Sequence, residues 1–305
     1  MQSMISIYCS ERLDGIASAA IILRHALLAK LPAQFGGMLH PENIEEELEA
    51  LSKLQGKLIF LLDLPLSPAQ AMVLEETQGR NKLVYWTTSD PGSTIPPARL
   101  IDPAKENECC ARAAQTRFLP NDPIARQLAQ MAHAVKFWED DGQGRKLAEL
   151  AAAGYPLQDL IEQLSRGVFW NDRFDSFYHK YEEKKKGACE EMMRSLVLKK
   201  YLNVNIGFAF CPVSIATAEA GECVLKSHSG VDIAAVLYRD GRFVLRRRDS
   251  CNVDVCELAA IFGGGGKVHA SGGHIAGMIN KDNLPEIVFQ FDSAFKNYFV
   301  SRNAI

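Results

Sequence analysis

Residues 4–31 read MISIYCSERLDGIASAAIILRHALLAKL. A short apolar run, MISIYC, meets the charged turn SERLDG. An Ala- and Leu-rich stretch follows, long enough for about four helical turns. The order is strand, polar loop, helix, and the next segments repeat the alternation. NIEEELEALSKLQ (43–55) has the period of an amphipathic helix, and KLIFLLDLP (57–65) reads as a buried strand ending at Asp63. SPAQAMVLEETQ (67–78) opens with Ser-Pro, a helix-start signal, and NKLVYWTTSDPG (81–92) is a strand closing in a polar turn. Alternation of this kind predicts an α/β domain with a mainly parallel sheet.

Beyond residue 100 the pattern predicts helices in ENECCARAAQTRF (106–118), DPIARQLAQMAHAVKFWEDD (122–141), GRKLAELAAAG (144–154) and PLQDLIEQLSRG (156–167). The highly charged stretch 172–200 reads as one long connecting helix. The sequence then turns β-rich: VNIGFAFC (204–211), VDIAAVLYRDGRFVLRRR (231–248) and HIAGMI (274–279), with a hairpin signal at Arg239-Asp240-Gly241. LPEIVFQFDSAFKNYF (284–299) reads as a terminal helix. The expected division is residues 1–170, a linking helix 171–200, and a smaller mixed α/β domain 201–305.

A hydrophobic share of 47% with 23% charged residues excludes a disordered chain and supports a sizeable core. No apolar run reaches the length of a membrane span, and MQSMISIYCSERLDG does not read as a signal peptide. The eight cysteines form no CxxC pair and several lie in apolar runs, as expected of free buried thiols in a reducing cytoplasm. The net charge of −3 does not advertise a nucleic-acid binder, but it is uneven. Residues 1–170 hold 16 Lys+Arg against 21 Asp+Glu, a balance of −5; residues 171–305 hold 18 against 16, a balance of +2. An acidic half suits a metal and a mildly basic half suits phosphates.

Chemistry-bearing residues fall into two groups. In a parallel α/β sheet ligands sit at the carboxyl ends of strands. Asp14 follows the first strand, Asp63 ends the next predicted one, Asp90 follows the one after, and Asp140 ends a long helix. Acids so placed could hold a divalent cation. The same residue type also caps helices and starts turns, which is the better account of Asp90 in Ser-Asp-Pro-Gly. The second group is FGGGGKVHASGG, residues 262–273. The run Gly263, Gly264, Gly265, Gly266 offers bare N–H groups for an anion, with Lys267, His269, Ser271 and His274 beside it. A turn that needs glycine only for close packing explains the run equally well. Upstream, Arg246 and Arg248 share one strand face and Arg247 the other, followed by Asp249 and Ser250. A charged edge strand is the alternative reading there.

SERLDGIASAAI, LIFLLDL, VYWTTSDPG, LIDPAKENECCARAA, LRRRDS and GGGGKVHASGG together resemble the DHH phosphoesterase superfamily across nearly the whole chain, the archaeal RecJ-like proteins in particular. The resemblance implies a DHH domain, a linking helix and a DHH-associated domain, and cleavage of a phosphodiester by water activated on two Mn²⁺ or Mg²⁺ ions. It assigns Arg246, Arg248, Ser250, Gly263–Gly266, Lys267, His269 and Ser271 to phosphate or nucleic-acid binding. The departures fall on the metal half. The family's first motif, His-x-Asp-x-Asp-Gly, has Ser10 and Arg12 at its first two ligand positions, leaving Asp14. Asp63 is kept, Thr88-Ser89-Asp90 stands for Asp-His-His, and Lys267 replaces the loop histidine. Arg12 brings a fixed positive charge to a metal position.

The expectation is therefore a catalytically degenerate subunit in archaeal replication, repair or RNA processing. It binds single-stranded nucleic acid or a short oligonucleotide, with no metal or weakly held Mn²⁺ or Mg²⁺, and has an active RecJ-like subunit or the GINS complex as candidate partners. Two other readings stand beside it. One is an active phosphodiesterase with a rearranged one-metal site on Asp14, Asp63 and either Asp140 or His133. The other is a protein-interaction scaffold without nucleic-acid affinity.

Overall fold

The computed structural model describes residues 4–39, 44–64, 69–70, 83–86, 108–137, 139, 142–212 and 215–303. The chain divides into two compact units, Met1–Tyr178 and His179–Ile305. Most of the helix expected at 67–78, the triplet Thr88-Ser89-Asp90, and Asp140 lie outside the described residues.

The first unit is built on a four-stranded sheet in the order β2-β1-β3-β4, every neighbouring pair parallel. Its strands are β1 (Ile5–Cys9), β2 (Ala33–Met38), β3 (Leu58–Leu62) and β4 (Leu83–Trp86). Side chains alternate across the pleat. Phe60 and Leu62 of β3 join Ile5, Ile7 and Cys9 of β1 against α1 (Leu13–Leu28), whereas Ile59 and Leu61 face α2 (Ile44–Ser52) through Leu48 and Leu51. A sheet covered on both faces explains why β3 reads as an unbroken apolar run and why Ser6 of β1 is buried. Around α1 pack α3 (Cys110–Phe118), α4 (Pro123–Lys136), α5 (Gly142–Ala152) and α6 (Leu157–Ser165).

β2, AQFGGM, is not among the strands predicted from the sequence pattern. Its Gly36 serves a packing need: a Cβ there would lie 2.4 Å from the Tyr8 ring.

The division between units falls inside α7 (Asp172–Arg194). The helix expected through residue 200 stops at Arg194, and Val197–Tyr201 is strand β5. Ser195 makes the switch: its hydroxyl donates to the Met192 carbonyl at 2.9 Å and accepts from the Phe210 amide at 3.0 Å.

The second unit holds a mixed six-stranded sheet in the order β5-β6-β7-β8-β10-β9. Its remaining strands are β6 (Val204–Cys211), β7 (Ile233–Tyr238), β8 (Arg242–Arg247), β9 (Gly265–Lys267) and β10 (Ala270–His274). Only β6 and β7 pair in parallel. The expected hairpin turn is present, with Gly241 at φ 92° between β7 and β8. The last strand lies earlier than HIAGMI, on Ala270–His274. Gly272 and Gly273 there let the backbone pass tightly against Phe243, where a Cβ would lie 2.5 Å from the Phe243 carbonyl and 2.8 Å from its ring. The core stacks Phe291, Phe295 and Phe299 of α10 (Leu284–Asn303) on Phe208, Phe243 and Tyr201. α8 (Thr217–Ser227) and the short α9 (Val255–Ala260) complete the unit, and the sequence pattern predicts neither. No helix among the described residues is long and apolar enough to cross a membrane.

Candidate functional site

The loop after β1 and the loop after β3 meet at the carboxyl edge of the parallel sheet. Gly15 allows α1 to start against the first loop, since a Cβ there would lie 2.6 Å from Ser10 Oγ and 2.8 Å from the Ser10 carbonyl. This close approach brings Asp14, in the first turn of α1, beside Asp63. Both carboxylates are buried, at 5% and 0% exposure. Asp63 also holds a left-handed backbone at φ 57°, a conformation aspartate tolerates better than most residues. One oxygen each of Asp14 and Asp63 and the thiol of Cys110 lie within 4.8 Å of one another, a candidate metal-ligand cluster.

Each carboxylate oxygen already has donors. Asp63 Oδ2 accepts from Ser10 Oγ at 2.7 Å and Arg12 Nε at 2.9 Å, and Oδ1 accepts from Arg12 Nη2 at 3.0 Å. Asp14 Oδ1 accepts from the Ala111 amide at 2.8 Å; Oδ2 accepts from the Cys110 amide and Lys136 Nζ, each at 3.0 Å. Among the described residues, two carboxylates thus face one guanidinium and one ammonium, and their formal charges balance.

Burial pushes the Asp63 carboxyl above its ordinary range, and the neighbouring Asp14 charge adds to this; Arg12, Ser10 and Lys136 act in the opposite sense. Burial raises the Cys109 thiol to about 12 and raises Cys9 as well, so neither is a ready thiolate. His133 is held below its usual value by burial first and by Arg112 second. Its Nδ1 has no hydrogen-bond partner among the described residues, and its Nε2 lies 3.6 Å from Glu139.

A two-metal site needs open carboxylate and imidazole ligands around ions ~4 Å apart. The described residues do not fit one. Arg12 and Lys136 would have to leave before a dication could reach the carboxylates, and a thiol is a poor ligand for hard Mg²⁺ or Mn²⁺. Sequence reading identifies Asp14, Asp63 and Arg12. It misses Cys110 and Lys136, which converge from α3 and α4 with no local motif; the LIDPAKENECCARAA segment is the only pointer.

In the second unit the glycine segment is a hairpin. β9 and β10 pair antiparallel, with Lys267 opposite Ala270, and β10 pairs with β8. Gly263 lies at φ 71° after α9 and needs its freedom there. Gly264 packs on the Gly272 carbonyl, where a Cβ would come within 2.3 Å, and Gly266 at φ 142° lies against Ser271. Gly265 is exposed, has no positive φ, and has nothing within 4 Å of a Cβ. Lys267 is exposed, as is His274, and His269 is half-buried.

The other residues assigned to phosphate binding are placed differently. Ser271 is buried and donates to the Val255 carbonyl. Arg248 donates to the carbonyls of Val231 at 2.6 Å, His228 at 3.0 Å, and Leu225, which ties the α8–β7 connection down. Arg246 lies 3.4 Å from Glu222 with its stem over Gly221. Ser250 is exposed in the turn after β8. The structure therefore gathers Gly263–Gly266 and Lys267 in one hairpin and spends Arg248 and Ser271 on the scaffold.

No family model matches the chain, and no curated protein matches it in sequence. Its structure is similar to solved DHH and RecJ-like proteins. A DHH domain described as a member of the s1p family of ribosomal proteins aligns with TM-score 0.65 at 11% identity, over 96% of this chain and 87% of that one. RecJ from Thermus thermophilus in complex with Mn²⁺ aligns with TM-score 0.62 at 16% identity, over 98% of this chain and 52% of that one. The pGpG-specific phosphodiesterase PggH of Vibrio cholerae aligns with TM-score 0.58 at 13% identity, over 98% and 99%. The chain spans about half of the Thermus RecJ. These likenesses place the fold in distant structural relation to the DHH/RecJ-like phosphoesterases.

Proposed function

We propose that this chain is a catalytically silent DHH-type protein of the archaeal RecJ-like kind, which binds single-stranded nucleic acid or a short oligonucleotide and serves as an assembly subunit. One observation carries the reading: Arg12 and Lys136 neutralise the two carboxylates on which a two-metal hydrolase would depend. Guanidinium and ammonium cannot acidify a bound water as a divalent cation does. The grip is assigned to the exposed hairpin at Gly263–Lys267, where bare amides and one unburied ammonium suit a phosphate. Two structurally similar proteins, an exonuclease RecJ bound to manganese and the pGpG-specific phosphodiesterase, give nucleic acid and a short dinucleotide as the ligand classes to try. An active RecJ-like subunit and the GINS complex are the proposed protein partners, and residues 1–170 and 201–305 the proposed functional domains.

The test combines a metal-by-substrate activity screen with oligonucleotide binding. The full chain is incubated with Mn²⁺ or Mg²⁺ and single-stranded DNA, RNA or a dinucleotide. No turnover is expected, together with binding that weakens as salt rises. Mn²⁺-dependent release of mononucleotides, lost in Asp14→Ala, would replace this reading with an active rearranged site. Absence of any salt-dependent binding would leave a protein scaffold.

A further inference from the structure

A concavity of ≈ 360 Å³ opens between α3 and α4, on the first unit and outside the Asp14–Asp63 cluster. Its lining includes Arg112, Gln115 and Thr116 of α3, and Arg126 and Gln130 of α4. That volume lies within the range of small-ligand sites, about 300–1,000 Å³. Among the described residues no carboxylate lines it, and neither Arg112 nor Arg126 makes an ion pair or donates a side-chain hydrogen bond. The nearest acids in sequence do not answer them. Asp122 is held by both arms of Arg24 at 2.8 Å and caps Ala125, and Glu108 forms no ion pair among the described residues. The field of Arg112 is instead felt by His133, whose pKa it helps to lower. Gln115 donates to the Leu119 and Pro120 carbonyls, which fixes the α3–α4 turn that brings Pro120 into the lining.

Arg112, half-buried, and Arg126, exposed, both line one concavity, and two like charges on one rim favour an anion there. Arginine forks match the oxygens of a phosphate, and the Thr116 hydroxyl and Gln130 amide supply further donors. We propose that the concavity is a phosphate subsite, in which Arg112 and Arg126 hold one phosphate group. The phosphate comes either from a nucleic-acid strand or from a free phosphate compound. Only the first source rests on the function proposed above.

The test titrates the full chain with pyrophosphate and, separately, with a 5′-phosphorylated single-stranded oligonucleotide, by calorimetry at low salt. Arg112→Ala/Arg126→Ala is compared with Arg117→Ala, each with its melting temperature checked. Pyrophosphate affinity is expected to fall about tenfold or more in the double variant, the loss of charge-assisted bonds. It should stay within about twofold in Arg117→Ala, which leaves the residues lining the pocket unchanged. A parallel loss in oligonucleotide affinity, with a salt slope lower by about 0.7 per phosphate contact, assigns the phosphate to nucleic acid. Loss for pyrophosphate alone assigns it to a free compound. The proposal is overturned if the wild type binds no pyrophosphate, if the double variant binds it unchanged, or if the control variant loses as much. Failure of the wild type to bind any oligonucleotide sinks the nucleic-acid reading while the pyrophosphate arm still decides the pocket.

Discussion

Arg12 closes a fork on Asp63, Nε to Oδ2 at 2.9 Å and Nη2 to Oδ1 at 3.0 Å, and the same Nη2 reaches the Asp63 carbonyl at 3.1 Å. Asp63 is fully buried, whereas the Arg12 side chain is 55% exposed. Truncating Arg12 leaves a buried carboxylate with less compensation. Arg12→Ala should cost about 2 kcal/mol at pH 8, below the ~3–5 kcal/mol of a fully buried pair because the arginine is half solvated. The pH dependence has a definite sign. Burial and Asp14 already raise the Asp63 carboxyl, and removing Arg12 raises it further. The folded variant then binds a proton that the unfolded chain has released, so its stability falls as pH rises through that raised value. Urea unfolding at pH 5 and pH 8 should show the larger deficit at pH 8; an equal deficit would mean that Asp63 does not carry it.

Lys136 does for Asp14 what Arg12 does for Asp63, at 3.0 Å. With both cations in place, chelator should leave the melting temperature of the wild type unchanged. Arg12→Ala/Lys136→Ala uncovers Asp14, Asp63 and Cys110, and Mn²⁺ should then raise the melting temperature of that variant. At a hundredfold excess over its Kd a ligand stabilises by about 2.7 kcal/mol. A wild type that melts lower in chelator would show that a metal already shares the cluster.

Gly15 holds the site's spacing. Its added Cβ would meet Ser10 Oγ at 2.6 Å, the Ser10 carbonyl at 2.8 Å and its amide nitrogen at 2.9 Å. Two of these atoms are backbone and cannot swing aside. Gly15→Ala should destabilise by about 1–3 kcal/mol, the range for overpacking. Adding Ser10→Ala should recover little of it. Full recovery in thermal unfolding would place the constraint in the Ser10 side chain instead.

In the second unit Asp292 is 3% exposed and accepts from Tyr201 at 2.7 Å and Lys296 at 2.8 Å, with Lys199 3.5 Å away. Burial alone would raise its carboxyl, but these partners outweigh burial and hold it below the ordinary aspartate range. Its stabilisation is thus present above the unfolded value and lost as pH falls through the folded one. Asp292→Asn should destabilise most at neutral pH, and the gap to the wild type should narrow below about pH 4. A gap independent of pH would assign the effect to packing.

The legible parts of the sequence are those where one local pattern decides the outcome. The apolar runs of β1 and β3 and the long Ala/Leu stretch of α1 point to the parallel sheet and its central helix. Asp14 and Asp63 follow from strand ends alone. β2 is hidden because Gly36 makes room for Tyr8, a partner known only once the strands are side by side. Lys136 is hidden for a similar reason: it lies 122 residues from Asp14 and reaches it only through the packing of α4. Arg248 looks like a phosphate ligand in LRRRDS, but its donors serve three carbonyls that no sequence spacing reveals. Compensation between distant charges is a tertiary fact, so the departures from a metal motif are readable and their replacement is not.

The glycine hairpin separates packing from binding at single positions. Gly264 is pressed on the Gly272 carbonyl and Gly266 on the Ser271 backbone, the latter at φ 142°. Alanine at either should destabilise the second unit. Gly265 differs: its φ is ordinary for any residue and no atom lies within 4 Å of the place a Cβ would take. The fold gives no reason for glycine there, whereas a phosphate lying on the bare amides would. Gly265→Ala should therefore melt within about 1 kcal/mol of the wild type, since a strand tolerates alanine no worse than glycine. Its affinity for a single-stranded oligonucleotide should fall severalfold, and Lys267→Ala should fall with it. Unchanged affinity in both, with melting intact, would mean that the run of glycines is only a way to pack one hairpin tightly against its neighbour.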